Sequence, residues 1–208
     1  MSAADFTEWD KRQLEAAERA APEPAAFVTE LLSLLPRGPA LDVACGTGRH
    51  SLLLAARGQH VVAVDGSSVA LEVVEQRARE SRLAARRLRS LNEVDQARSG
   101  IELVEADLER VALPQRSFAL IVCVHYLQRS LFAQMERALA PGGMLLFETF
   151  TRAQLDFEGG PKNPEYLLEC GELRTAFPSL RLLFYRELRA GKGIASLIAQ
   201  SEHIAGPA

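Results

Sequence analysis

No run of apolar residues in this chain of 208 approaches the roughly 20 needed to cross a bilayer. The opening stretch, Met1-Ser2-Ala3-Ala4-Asp5-Phe6, also lacks the basic start and apolar core of a secretory signal, so a cytoplasmic location with no membrane partner is expected. Cysteine is scarce. Cys45, Cys123 and Cys170 are too few and too scattered for a disulfide framework or a metal-spaced pair, so reduced thiols and no metal are expected. Internal repeats and low-complexity tails are missing, which removes solenoids and linkers from consideration. There is no excess of positive charge either: the formal net charge of -3 argues against a surface built for nucleic acid. The arginine-dense stretch Arg77, Arg79, Arg82, Arg86, Arg87 and Arg89 has Glu75 and Glu80 interspersed and no aromatic side chain on which bases could stack. It reads as one solvated helix face.

The remaining composition, 48% hydrophobic, suits a single domain spanning residues 1–208 with one substantial core. Short apolar runs alternate with helical patterns, as in a doubly wound α/β sheet. Strands are expected at 40–44, 60–65, 101–107, 118–126, 143–150, 180–188 and 194–201. Helices are expected at 24–35, 48–57, 67–89, 130–140 and 169–177. Ser67-Ser68 supplies an N-cap, and Pro141-Gly142-Gly143 stops the fourth helix. Leu120-Ile121-Val122-Cys123-Val124 and Met144-Leu145-Leu146-Phe147 have the unbroken apolar character of central strands covered on both faces. Ala190-Gly191-Lys192-Gly193 reads as the turn of a C-terminal antiparallel hairpin.

The most informative stretch is Ala40-Leu41-Asp42-Val43-Ala44-Cys45-Gly46-Thr47-Gly48-Arg49-His50, followed by a second apolar run that ends on Asp65. A strand, a glycine turn, a helix, and a strand ending on an acid about 20 residues later is the layout of a nucleotide-binding βαβ unit. A pyrophosphate-binding turn needs small residues where the backbone meets the anion. Here the third small position falls on Arg49 in one frame and on Ser51 in the other, and Asp42 just before the turn would repel phosphate. The same carboxylate favours a cation. S-Adenosylmethionine carries an α-ammonium and a sulfonium and no phosphate, and Asp65 can accept hydrogen bonds from its two ribose hydroxyls.

These residues resemble motif I of the class I S-adenosylmethionine-dependent methyltransferases, acid-x-Gly-x-Gly-x-Gly, which reads here Asp42-x-Ala44-x-Gly46-x-Gly48. Alanine in the first glycine position asks only for a near-ordinary backbone there. The resemblance implies a Rossmann-like, seven-stranded, mostly parallel sheet ending in the antiparallel hairpin, with S-adenosylmethionine as cofactor and S-adenosylhomocysteine as product. It places the cofactor against Asp42, Ala44, Cys45, Gly46 and Gly48 of the turn, Asp65, Gly66 and Ser67 after the second strand, Asp107 and Leu108 after the third, and Val124 and His125 after the fourth. Asp107 and Leu108 stand where the family binds adenine, although Asp107 could instead only cap a following turn. Ser117-Phe118-Ala119 stands where many members have an aspartate after the aromatic residue. Asn163-Pro164-Glu165-Tyr166-Leu167-Leu168, Gly171-Glu172-Leu173 and Gly48-Arg49-His50-Ser51 are similar to the tellurite-resistance, TehB-like branch, over residues 27–200. Residues 82–98 look like an insertion beyond that branch's usual length.

The branch resemblance implies a small-molecule methyl acceptor, with soft sulfur, selenium or tellurium nucleophiles among the options. The Asn/Asp-Pro-Pro-Tyr/Phe motif with which amino-methyltransferases of DNA hold a flipped base is absent, which disfavours DNA. Methyl transfer from a sulfonium needs a base only for an acceptor protonated at neutral pH. His125, at a strand end facing the crevice, is the candidate base, and Glu148 is a second. Acceptor choice is expected from a helical cap at 1–36, with Phe6, Trp9 and Phe27, and from a lid at 151–172. Two other readings stay open: a non-catalytic sensor or partner protein that binds S-adenosylmethionine or S-adenosylhomocysteine, and an NAD-dependent oxidoreductase, which Asp42 and the missing third glycine oppose.

Overall fold

A computed structural model describes residues 22–202 of the chain. Eight strands form one sheet in the order β3-β4-β2-β1-β5-β6-β8-β7: β1 (Ala40–Val43), β2 (His60–Asp65), β3 (Ala85–Leu88), β4 (Gly100–Glu105), β5 (Phe118–Val124), β6 (Leu139–Phe150), β7 (Leu180–Arg189) and β8 (Gly193–Ser201). The helices are α1 (Ala26–Leu31), α2 (Arg49–Ala56), α3 (Ser68–Glu80), α4 (Phe132–Ala138) and α5 (Glu172–Thr175). Strands β1 to β6 pair in parallel, and β8 runs antiparallel to both β6 and β7. This is the mostly parallel, doubly wound sheet with a terminal hairpin that the sequence pattern implies.

Successive strand residues point to opposite faces, and the sheet accordingly separates two cores. Leu41, Val43, Ile121, Cys123 and Phe147 pack on the side of α4 and α5. Val61, Ala63, Leu120, Val122 and Leu146 meet Leu54 of α2 and Leu71 and Val74 of α3 on the other. Every residue of β1 and β2 is buried, the signature of central strands covered on both faces. Strand order reverses at β1, which lies between β2 and β5, so a crevice opens beyond the carboxyl ends of these three strands.

Four expectations need correction. The arginine-rich segment is not one helix to residue 89: α3 stops at Glu80, Arg82 takes a left-handed φ of 57°, and Ala85–Leu88 forms β3. That strand is an eighth, added outside β4, where seven were expected. Its basic composition hides it, because its charges are matched on site. Buried Glu102 accepts from Arg86 Nε at 2.9 Å and meets His60 Nε2 at 3.1 Å, while Arg87 lies near Glu72 and Glu75 of α3. The helices are also shorter than expected at 24–35, 130–140 and 169–177. Finally β6 begins at Leu139 and carries Pro141-Gly142-Gly143 within it, rather than starting at residue 143. The Ser67 cap stands as expected, its hydroxyl accepting from Ala70 N at 3.0 Å.

Of the proposed cap at 1–36, Phe6 and Trp9 lie outside the described residues, while Phe27 of α1 is buried. The segment 151–172 contains two short 3-10 turns, Arg152–Asp156 and Pro164–Tyr166, and is fastened to the body at several points. Leu167 and Leu168 are buried, and Leu168 N donates to Phe150 O at 2.9 Å. Arg129, in the turn after β5, donates to both oxygens of Glu172 at 2.5 and 2.9 Å and to Leu167 O at 3.0 Å. Asn163 Oδ1 accepts from Glu165 N, so the Asn-Pro-Glu-Tyr stretch is a self-capped turn.

Candidate cofactor and active site

After Val43 the chain turns sharply over Ala44, Cys45, Gly46 and Thr47 and enters α2 with Gly48 as its N-cap. The turn is held at both ends: Cys45 N donates to Val64 O at 3.1 Å and Gly48 N to Cys45 O at 3.0 Å. Ala44, Gly46 and Gly48 all have positive φ, at 54°, 53° and 80°. The ordinary backbone expected at Ala44 is therefore not what the turn uses. A left-handed alanine costs about 1–2 kcal/mol, and the surrounding hydrogen bonds impose it.

The two glycines do different work. A β-carbon on Gly46 would meet nothing within 4 Å, so its surface is open toward the crevice, whereas one on Gly48 would lie 2.7 Å from Val74 Cγ2. Gly48 lets α3 lie directly on the turn. Gly48→Ala should cost about 2–4 kcal/mol, from the left-handed strain and the overlap together. In a Val74→Ala background the added cost should fall by about 1 kcal/mol or more. Denaturant unfolding of the four proteins measures this, and simple additivity would mean that the overlap is relieved elsewhere.

Asp65, 4% exposed, closes the turn from β2. Its Oδ2 accepts from Gly46 N at 2.8 Å and its Oδ1 from Ser67 N at 2.9 Å. Asp42, 1% exposed, accepts from Ser51 Oγ at 2.6 Å and so fixes the first turn of α2. Burial pushes the Asp42 carboxyl up to about 7, against the Ser51 hydrogen bonds and the Arg49 charge, and Asp65 adds to the rise. The buried thiols of Cys45 and Cys123 are likewise pushed up by burial, which keeps both as thiols. All three cysteines are free.

The register puts the other strand ends beside this turn: Val43 is level with Cys123, Asp65 with Glu105, and Val124 with Glu148. Asp107 does cap a turn, its Oδ1 accepting from Glu109 N at 2.9 Å, and Leu108 is buried beside it. Tyr126, just after β5, is half-buried and packs against the core. Its phenol is raised by burial first, then by Cys123 and by the carboxylates of Glu109, Asp65 and Asp107.

His125 sits in a left-handed conformation, φ 62°, with its N–H on Glu148 O at 2.7 Å. Its Nδ1 lies 3.2 Å from Arg49 Nη2, its Nε2 lies 3.9 Å from Glu148 Oε1, and its ring is 4.8 Å from that of Phe150. Arginine can only donate, so Nδ1 is the acceptor and the ring proton belongs on Nε2. Burial, then Arg49 and Lys192, lower the imidazole to about 4, so the ring is neutral at pH 7. Glu148 is buried and accepts from Ser196 Oγ at 2.6 Å, with Arg186 Nη2 at 3.8 Å. His50 accepts from Ala25 N at 3.2 Å and is lowered to about 3, chiefly by burial, which makes it a structural link to the N-terminal side.

Sequence reasoning missed three supports: Ser51 on Asp42, Arg49 on His125, and Arg77, whose Nη1 donates to Thr47 O at 3.1 Å. Arg77 is 9% exposed and sits on the α3 face that carries Val73, Val74 and Ala78. A charged residue at a position whose helical neighbours are apolar was the available signal.

The geometry fits a phosphate-free, cationic ligand. Two buried carboxylates flank a turn whose middle glycine is bare, and burial already works against the charge on Asp42, so a positive group nearby would relieve it. A pyrophosphate would add to the strain.

Residues 40–143 match the sequence model of the methyltransferase domain family, which is half of the chain. The ubiquinone biosynthesis O-methyltransferase of Hahella chejuensis (strain KCTC 2396) is 32% identical over 149 residues, 69% of this chain and 56% of its own length. The chain thus spans little more than half of that relative. Among solved structures, TehB from Haemophilus influenzae superposes with a TM-score of 0.68 at 16% identity, over 86% of this chain and 63% of its own. A SAM-dependent methyltransferase from Aquifex aeolicus gives 0.67 at 15% identity, over 92% and 97%. At such identities the structures establish the fold, and the family model establishes the kinship. The chain belongs to the methyltransferase domain family, and its fold resembles that of TehB.

Proposed function

We propose that this chain transfers a methyl group from S-adenosylmethionine to a small-molecule nucleophile that needs little help in losing a proton. The observation that carries the reading is the pair of buried carboxylates, Asp42 and Asp65, framing the open surface of Gly46. Asp65 would accept from the ribose hydroxyls, and Asp42 would favour the ammonium end. Asp107 and Leu108 would hold the adenine, between Gly66-Ser67 on one side and Val124 on the other. Ala44, Cys45 and Gly48 complete the wall without contributing charge. When bound, the cofactor supplies an electrophilic methyl on sulfur for in-line displacement.

The rest falls to positioning and to the exclusion of water. His125 is the side chain best placed to face an acceptor, but Arg49 occupies its acceptor nitrogen and its basicity is low. That suits a nucleophile arriving as an anion or with a soft lone pair, such as a thiolate or a selenium or tellurium oxyanion. The segment 151–172 would close over the acceptor, with Arg129 as its fastening. Within the arginine-dense stretch, Arg86 is matched by Glu102 and Arg87 by Glu72 and Glu75, which supports a small acceptor over a nucleic acid.

Methyl transfer from labelled S-adenosylmethionine across a panel of thiols, phenols, carboxylates, amines and chalcogen oxyanions tests the reading. Turnover with a small nucleophile is expected. Tight cofactor binding with no transfer to any of them would point to a sensor. His125→Ala should lower kcat less than tenfold, and the wild-type kcat/KM should show no inflection between pH 6 and 8 from this residue, since it titrates near 4. A hundredfold loss, with a wild-type inflection between pH 6 and 8 that His125→Ala lacks, would make His125 the base after all.

A further inference from the structure

We infer that Arg77 is a positioning residue for the cofactor turn, clamping the Thr47–Gly48 peptide unit from beneath and so setting cofactor affinity without touching the cofactor. The inference rests on the proposed cofactor site and goes beyond it, because Arg77 lies on α3, 30 residues away in sequence.

That peptide unit is held at both of its polar ends. The carbonyl of Thr47 accepts from Arg77 Nη1 at 3.1 Å, and the N–H of Gly48 donates to Cys45 O at 3.0 Å. One turn earlier on α3, Val74 fills the space that a side chain on Gly48 would need. Residues 74 and 77 are neighbours on one helix face, so α3 touches the turn twice, once by packing and once by a charge-assisted hydrogen bond. Packing alone would allow the peptide to rotate about its flanking bonds, and glycine resists such rotation least. The arginine removes that freedom.

The choice of residue supports a fixed role. Position 77 is on the buried face of α3 beside Val73, Val74 and Ala78, where leucine or methionine would pack without burying a charge. Burial depresses the guanidinium, and Glu80 only partly offsets this. What the arginine provides in return is a donor long enough to reach the backbone of the turn. A turn held in its binding shape before the ligand arrives spends less of the binding energy on ordering itself.

Arg77→Met keeps the stem and removes the donors, Arg77→Lys keeps the charge and a donor, and Arg79→Met, on the exposed face of the same helix at 76% side-chain exposure, is the control. Calorimetric titration of each protein with S-adenosylhomocysteine should show Arg77→Met weakened at least tenfold, Arg77→Lys partly restored, and Arg79→Met like wild type. In the ligand-free proteins, the amides of residues 45–48 should exchange faster in Arg77→Met, while those of β5 stay unchanged. Wild-type affinity in a folded Arg77→Met protein would overturn the inference. If Arg77→Met fails to fold, Arg77→Lys decides: two- to fivefold weaker binding and faster turn exchange support the clamp, and equality with wild type refutes it. If wild type binds no S-adenosylhomocysteine, the functional reading fails, and the exchange comparison still decides the clamp.

Discussion

Asp65→Ala is expected to weaken cofactor binding at least a hundredfold, the largest single-site effect on affinity in this protein. The carboxylate has two tasks, and alanine ends both. Toward the ligand it would accept from two ribose hydroxyls, and hydrogen bonds to a charged group are worth roughly 1.5–3 kcal/mol each. Two of them correspond to a hundredfold or more, at about 1.4 kcal/mol per factor of ten. Toward the protein it accepts from Gly46 N and Ser67 N, at 2.8 and 2.9 Å, in a place only 4% exposed. Leaving those donors without an acceptor costs roughly 1–3 kcal/mol each, so Asp65→Ala should also unfold at lower denaturant. Asp65→Asn sorts the two tasks. Its amide keeps one oxygen for one backbone N–H and turns an NH2 against the other, so stability should fall less than in alanine while affinity falls nearly as far. Calorimetry and denaturant unfolding of the same samples separate the effects. Affinity within threefold of wild type in either variant would remove Asp65 from the cofactor site.

Asp42→Asn is expected to move stability and affinity in opposite directions. An unfolded aspartate titrates near 3.8, and Asp42 in the fold titrates at about 7 because burial disfavours its charge. Between these values the folded protein holds a proton that the unfolded chain has released. Stability is therefore lost as pH rises from about 4 to about 7, and the full cost persists above. At about 1.36 kcal/mol per unit the cost is roughly 2–5 kcal/mol. Asparagine has no charge to bury and keeps an oxygen for Ser51 Oγ, so Asp42→Asn should melt higher than wild type at pH 8 and lose most of its advantage by pH 4. Cofactor affinity should fall about tenfold at pH 8, because the charge proposed to face the ammonium end is gone. Wild-type affinity should also weaken below pH 7, where binding must first expel the proton from Asp42, and that dependence should vanish in Asp42→Asn. Melting curves and titrations across pH 5 to 8 give both. A variant less stable than wild type at pH 8 would show that Asp42 is charged and well compensated in the fold.

What could be read from the chain follows from how local the signals are. The β1 turn, Asp65 and the hairpin are written in contiguous residues whose types are dictated by the backbone they occupy, so their places emerged directly. The strand Ala85–Leu88 did not, because Ala-Arg-Arg-Leu has no apolar alternation and gains its place from Glu102, sixteen residues on from Arg86. Helix propensity continued through Arg82, where a single left-handed residue ends the pattern. Ala44 misled for the opposite reason. Alanine rarely adopts positive φ, and only the hydrogen bonds on either side of the turn require it here. In the candidate site, the residues on strand ends were legible, since the topology puts strand ends at the crevice. The supports Ser51, Arg49 and Arg77 were not, because each acts across the fold on a partner that spacing does not reveal. The segment 151–172 is anchored by Arg129 and by buried Leu167 and Leu168, a pattern of pairwise contacts with no periodicity of its own.

The most direct measurement is a side-by-side calorimetric titration of the full chain with S-adenosylmethionine, S-adenosylhomocysteine and NAD at pH 8. Asp42 and Asp65, on either side of the open surface at Gly46, predict one saturable site for each of the first two and no heat of binding with NAD. Saturable binding of NAD, with neither of the others bound, would contradict a turn built for a cationic, phosphate-free cofactor.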